Sequence, residues 1–198
     1  MGILTHFTSP QDVRWQGSHR THHLLFLIKS ILLVPFIILV IVEYPLFKSW
    51  WENGPGHTRY DWYWAPYQFW PRIGMALIPD VIVTVASLVL ILNPMNHATY
   101  SFHPVFALVS SFIVMALYVQ VCWLNPLIAL SNEVAFYNSD VWKKIVYAET
   151  AFEGIICILY IAMLVYSCIA VHKWRMAKKS GSVYMDRPGR DEVGWNTV

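Results

Sequence analysis

A chain of 198 residues that is 57% hydrophobic and only 13% charged falls well short of the ~25% charged residues found in ordinary soluble domains. That composition excludes a solvated globular domain, and a formal net charge of +2 gives no reason to expect a nucleic-acid partner. Cys122, Cys157 and Cys168 all fall inside apolar runs, which excludes a disulfide framework and makes them core packing.

In chain order, residues 1–23 form a polar tail in which "SPQD" reads as a helix start, with Ser9 at the N-cap and Pro10 at N1. Four apolar runs follow: Leu24–Val42, Ile73–Leu92, Val105–Leu124 and Ala151–Val171. At a rise of ~1.5 Å per residue, each is long enough to cross a ~30 Å hydrocarbon core. None carries the polar stripe of a soluble helix. The predicted fold is therefore all-α, an integral-membrane bundle of four transmembrane helices. Its transmembrane domain covers 24–172, and a basic, partly disordered tail covers 173–198. The first run holds Lys29 and Pro35 and ends in the bulky "EYPLFKSWW", so it reads as a retained span and not as a cleaved signal peptide. "MGILT" is followed by His6 where a myristoylation motif wants Ser or Thr.

The segment 44–71 is rich in Trp and Tyr and broken by Gly and Pro. It is expected to lie as an aromatic belt on the outer leaflet, with a sugar- or sterol-stacking platform as the alternative. The segment 93–103 is a short uncharged turn. The segment 125–148 mixes apolar and charged residues, and is expected to form a short helix in the interface with Lys143, Lys144 and Tyr147 at the surface. Between the two sides, Lys and Arg divide eight against four in favour of the tails, which places both termini in the cytosol. The stretch "HKWRMAKK", with Lys173, Arg175, Lys178 and Lys179, reads as a stop-transfer anchor. It could also hold anionic headgroups, at roughly 1 kcal/mol per charge.

The apolar runs contain a few polar groups. Asp80 sits eight residues beyond Arg72, so ~12 Å deep at helical rise. Ala76, Asp80, Thr84 and Ser87 share one face, a small-and-polar stripe suited to close packing against other spans. An isolated carboxylate in hydrocarbon is costly, so Asp80 is expected to be uncharged. Its proton would go to the Met75 carbonyl freed by Pro79, to Gln120 or to Tyr160. Asp80, Gln120, Glu153 and Tyr160 form the expected intramembrane polar network, while Lys29 is expected to snorkel to the cytosolic surface. The rival role for Asp80 is a proton or cation relay in a small oligomeric transporter.

"HRTHH" satisfies HxxHH, one of the histidine boxes of the membrane di-iron desaturases and hydroxylases. Imidazoles suit iron, and the cytosolic side would hold His6, His19, His22, His23, His97, His103 and His172. The other boxes are missing. The expected reading is a cluster at headgroup level, with metal binding at His19, His22 and His23 in a lipid-modifying enzyme as the alternative.

The layout as a whole resembles the MARVEL-type tetraspan proteins, the small fungal members above all. It has four spans, cytosolic tails, a short inner loop, an acid in span two and a fourth span opening "AETAFEGIICILYIAMLVYSCIAVHKWR". The likeness covers roughly residues 20–175, is architectural, and transfers no functional residue. The first loop lacks the W-x(n)-GLW-C-C pattern of the claudin and Sur7 type, and no CCG of the tetraspanins occurs. The resemblance implies a non-enzymatic organiser of membrane domains or a trafficking helper with no cofactor. Its partners would be membrane lipids such as sterol or anionic lipid, other membrane proteins or further copies of itself, in the plasma membrane or an endomembrane.

Overall fold

The computed structural model describes residues 13–15, 17–53, 70–92, 102–130 and 139–179. A 3-10 turn, Val13–Trp15, precedes helix α1, His19–Asn53. A π-helical turn, Trp70–Gly74, leads into α2, Met75–Leu92, and α3 and α4 span Pro104–Leu130 and Ser139–Lys179. No strand occurs among the described residues. Four stretches are long and apolar enough to cross a membrane: His19–Leu46, Arg72–Ile91, Pro104–Leu127 and Asp140–Lys179. The chain thus has the build of a multi-pass membrane protein.

Side-chain spacing explains how these helices associate. Beyond the adjacent His22 and His23, the buried positions of α1 are Phe26, Lys29, Leu33, Phe36, Val40 and Glu43, alternately three and four residues apart. On α4 the same alternation runs through Trp142, Val146, Glu149, Glu153, Ile156, Tyr160, Met163, Ser167 and Ala170. A seam with that mean period of about 3.5 is how helices pack along their length in bundles. The residues between the seams, such as Ile31, Ile38, Ile158 and Val165, are apolar and exposed. They form the surface a bilayer would cover. Helix α4 packs most extensively along α3 and next along α1, and α2 packs against α3. Helices α1 and α2 approach each other less closely, and long side chains bridge them.

Two boundaries differ from the sequence reading. Among the described residues no separate interfacial helix precedes α4: residues 139–150 are the first turns of α4 itself, and α3 continues to Leu130. The seam that starts at Trp142 runs unbroken past Glu149 and Glu153, with no Pro or Gly before Gly154. Those two glutamates look like a polar boundary in the sequence, but both are buried. Helix α4 has 41 residues. At ~1.5 Å per residue that is roughly 60 Å, about twice a hydrocarbon core, so it must project beyond a bilayer.

At its start, α1 is tied to the 3-10 turn. Gly17 has φ +88°, a left-handed conformation that glycine adopts without a Cβ clash. Ser18 donates its N–H to the Trp15 carbonyl at 2.9 Å, and its own carbonyl accepts from His22 N–H at 3.2 Å. The reversal folds Trp15 onto Phe102, Ala107 and Ala170. The helix start expected at Ser9 and Pro10, most of the aromatic segment 44–71, the turn 93–101 and the tail from 180 onward lie outside the described residues.

Candidate functional site: three buried polar clusters

Helices crossing hydrocarbon gain little from burying apolar faces against one another, because lipid is equally apolar. The polar groups placed between them are therefore informative, and they collect at three levels.

The middle level centres on Asp80. Lys29 of α1 places Nζ 2.7 Å from Asp80 Oδ1. The Tyr118 hydroxyl of α3 donates to Oδ2 at 2.8 Å, and the Tyr160 hydroxyl of α4 donates to Oδ1 at 2.5 Å. One carboxylate on α2 is thus bound by donors from each of the other three helices. Lys29 also donates to Thr84 Oγ1 at 2.5 Å, and Thr84 in turn donates to the Asp80 carbonyl oxygen at 2.6 Å. The ammonium further faces the rings of Phe26 at 5.3 Å and Tyr160 at 5.2 Å, as a desolvated cation favours. Lys29, Asp80 and Thr84 are all buried.

This geometry corrects one expectation: Lys29 does not snorkel but turns inward to the carboxylate. Asp80 is surrounded by donors and one ammonium, surroundings that suit an ion pair better than the neutral acid the sequence suggests. A buried pair of this kind keeps its charges because each charge is satisfied by hydrogen bonds as well as by its partner. The stripe Ala76, Asp80, Thr84 and Ser87 does face inward, with all four buried.

A second level, the glutamate end, gathers around Arg72. The guanidinium bonds Glu43 of α1 through Nη2 and Asn125 Oδ1 of α3 through Nη1 at 2.5 Å. It lies 3.9 Å from Glu149 Oε2 of α4 and stacks 5.5 Å from the Trp142 ring. Trp142 Nε1 donates to Glu43 Oε1 at 2.8 Å, and the Asn125 amide approaches both oxygens of Glu153 at 3.4 Å. Glu43, Arg72, Asn125, Glu149 and Glu153 are all buried. Among the described residues, Glu43 Oε2 and both carboxyl oxygens of Glu149 lack a well-formed hydrogen bond, and the Asn125 amide reaches Glu149 only weakly.

The third level, the histidine end, is aromatic. Trp15 packs tilted on His22 at 4.7 Å between ring centroids and parallel to Phe102 at 5.9 Å. Its Nε1 donates to the Phe102 carbonyl at 2.9 Å. His19 and His23 lie 3.9 Å apart, and His23 Nδ1 meets the His19 carbonyl at 3.0 Å. His103 sits against Trp174, and its Nδ1 accepts the Val105 N–H at 3.1 Å, closing the start of α3. His172 is exposed, and His6 and His97 lie outside the described residues. Among the described residues, no group of three His, Cys, Asp or Glu is arranged to hold a metal ion. The HxxHH rings pack against Trp15 and one another.

Of the expected network, Asp80 and Tyr160 are bonded to each other. Glu153 belongs to the glutamate end, seven residues of α4 away from Tyr160, or about 10 Å along the axis. Ile156 and Cys157 fill that interval. Gln120 joins neither level and is exposed. Lys173, Arg175, Lys178 and Lys179 are exposed at the end of α4.

Sequence reasoning missed Lys29, Tyr118, Glu43, Arg72, Asn125 and Trp142 as interior partners. A signal was present, since His22, Lys29, Phe36 and Glu43 recur every seven residues on α1 and so occupy one seam position. Comparison with known proteins adds no relative: no family model, no curated protein and no solved structure matches the chain.

Proposed function

We propose that this chain is a non-enzymatic tetraspan membrane protein of MARVEL type that organises lipids or partner membrane proteins through its outer faces. The observation that carries the reading is the Asp80 node, where donors from α1, α3 and α4 all close on a single carboxylate of α2. Interior polarity of that kind fastens four helices together and is fully engaged in doing so. The surfaces left for work are the apolar faces between the seams and the exposed basic end of α4. With both tails in the cytosol, as the charge bias suggests, Lys173, Arg175, Lys178 and Lys179 would meet the anionic inner leaflet.

A relay through the bundle is less well supported, because the apolar layer of Ile156 and Cys157 separates the middle level from the glutamate end. The test is the composition of protein purified in mild detergent. Anionic lipid or sterol is expected to co-purify, and anionic lipid should be lost when the four basic residues become Gln. Stoichiometric iron, lost on changing His19, His22 and His23 to Ala, would overturn the reading in favour of a lipid-modifying enzyme.

A further inference from the structure

The glutamate end does not balance its charges. Glu43, Glu149 and Glu153 face one guanidinium, that of Arg72, and all four side chains are buried. The donors are also unevenly shared. Glu43 Oε1 receives Arg72 and the Trp142 indole, while Glu153 receives the Asn125 amide at 3.4 Å. Among the described residues Glu149 receives no well-formed hydrogen bond at either oxygen; the Asn125 amide reaches it only weakly while also serving Glu153, and its nearest described cation is Arg72, at 3.9 Å. A carboxylate held in that state would have most of its desolvation cost uncompensated, because it shares one distant guanidinium with two other carboxylates.

Among the described residues, the other charged groups nearby do not fill the gap. Lys143, half-buried on α4, is six residues from Glu149 and so about 120° round the helix. Cys122 of α3 is in electrostatic reach of Glu153 and brings no positive charge. Among the described residues no set of three carboxyl, thiol or imidazole ligands is arranged for a metal ion, which leaves the proton as the ligand the site can hold.

We infer that the glutamate end is a proton-binding site, with Glu149 as its carrier and Glu43, Glu153 and Arg72 as the surrounding charges that set its occupancy. Glu43 Oε2 is the other carboxyl oxygen there without a donor among the described residues, and the Glu43 charge acts on Glu149 in the direction that favours its protonation. The occupied site holds α1, α3, α4 and the turn before α2 together at this end. Emptying it adds a second uncompensated negative charge and drives α1 and α4 apart. The inference is independent of the lipid-organising role. With both tails in the cytosol, the pH it reads is that of the compartment on the opposite side of the membrane.

The first measurement uses the unaltered full-length protein in detergent or nanodiscs, at neutral pH. Infrared spectra with and without isotope-labelled glutamate should show a protonated carboxyl band that shifts with the label. An unshifted spectrum, with every glutamate ionised, overturns the proposal. The second measurement is melting temperature against pH. Because the folded chain retains a proton that an unfolded chain releases, stability should fall as pH rises. Glu149→Gln, neutral and of nearly the same shape, should lose both the band and the pH slope while melting like the unaltered protein in acid. Glu153→Gln should keep the band. A Glu149→Gln protein that retains the slope, or a band lost in Glu153→Gln instead, sinks the assignment. So does a Glu149→Gln protein that melts early even in acid.

Discussion

The middle level and the glutamate end are built from the same chemistry and reach opposite outcomes. At the middle level one carboxylate meets one ammonium, and two tyrosine hydroxyls complete its shell. At the glutamate end three carboxylates share one guanidinium, and among the described residues three of their oxygens lack a well-formed hydrogen bond. Burial alone therefore does not decide what an ionisable residue does in a bundle. The balance of donors, acceptors and charge decides it. A balanced cluster is a fastener with nothing to exchange, whereas an unbalanced one must take up a ligand to exist.

The comparison breaks most visibly at Lys29 and Asp80. Removing one member of a buried ion pair leaves the other charge without compensation, a loss of about 3–5 kcal/mol. Asp80→Asn keeps the shape, but its one amide oxygen can accept from only one of Tyr118 and Tyr160, which donate to different oxygens, and it strands the Lys29 ammonium. It is therefore expected to be severe, where a neutral acid would have made it mild. Adding Lys29→Met removes the stranded charge, so the double variant should recover most of the loss. Thermal or denaturant unfolding in detergent measures all three proteins. Equal instability in the single and double variants would show that the pair is not what the node depends on.

A smaller effect separates the hydroxyls from the charge. Tyr118→Phe and Tyr160→Phe each delete one donor to Asp80 and keep the ring, including the Tyr160 face that meets Lys29 at 5.2 Å. Each should cost roughly 1 kcal/mol, the usual scale of one interhelical hydrogen bond in a membrane. Neither should change how stability responds to pH, in contrast to Glu149→Gln. A loss as large as that of Asp80→Asn would mean that the hydroxyls and not the ammonium neutralise the carboxylate.

The fold was legible where the physical constraint is coarse. Hydrocarbon thickness sets span length, so four helices long and apolar enough to cross could be read from run length alone. The site was legible only in part. Asp80 stands out because nothing near it in sequence is charged, and the stripe Ala76, Asp80, Thr84 and Ser87 shows which way it faces. Lys29 misled because a lysine seven residues inside the first buried histidine, His22, can reach either the headgroups or the interior. Only its partner's position in three dimensions decides between them. Glu43, Arg72 and Glu149 misled differently: they stand at the edges of apolar runs, where charge normally marks the water boundary. Their burial depends on α1 and α4 extending past the apolar runs and meeting there, a tertiary fact that no single run contains.

The smallest expected effect is at Gln120. As a buried amide it would rival the tyrosines as a partner of Asp80, and replacing it with an apolar residue would leave that contact unmade. The structure instead puts Gln120 on the outer face beside Met75, Leu117 and Val121, at a shallow depression, with no part in the node. Gln120→Leu should change stability by no more than about 0.5 kcal/mol, as substitutions away from buried contacts do. Removing an amide from a lipid-facing surface would, if anything, favour the membrane-embedded form. The measurement is the same unfolding experiment, run beside Tyr160→Phe as the internal scale. A loss at Gln120 matching that at Tyr160 would return it to the interior network and displace Tyr118 as the α3 donor to Asp80.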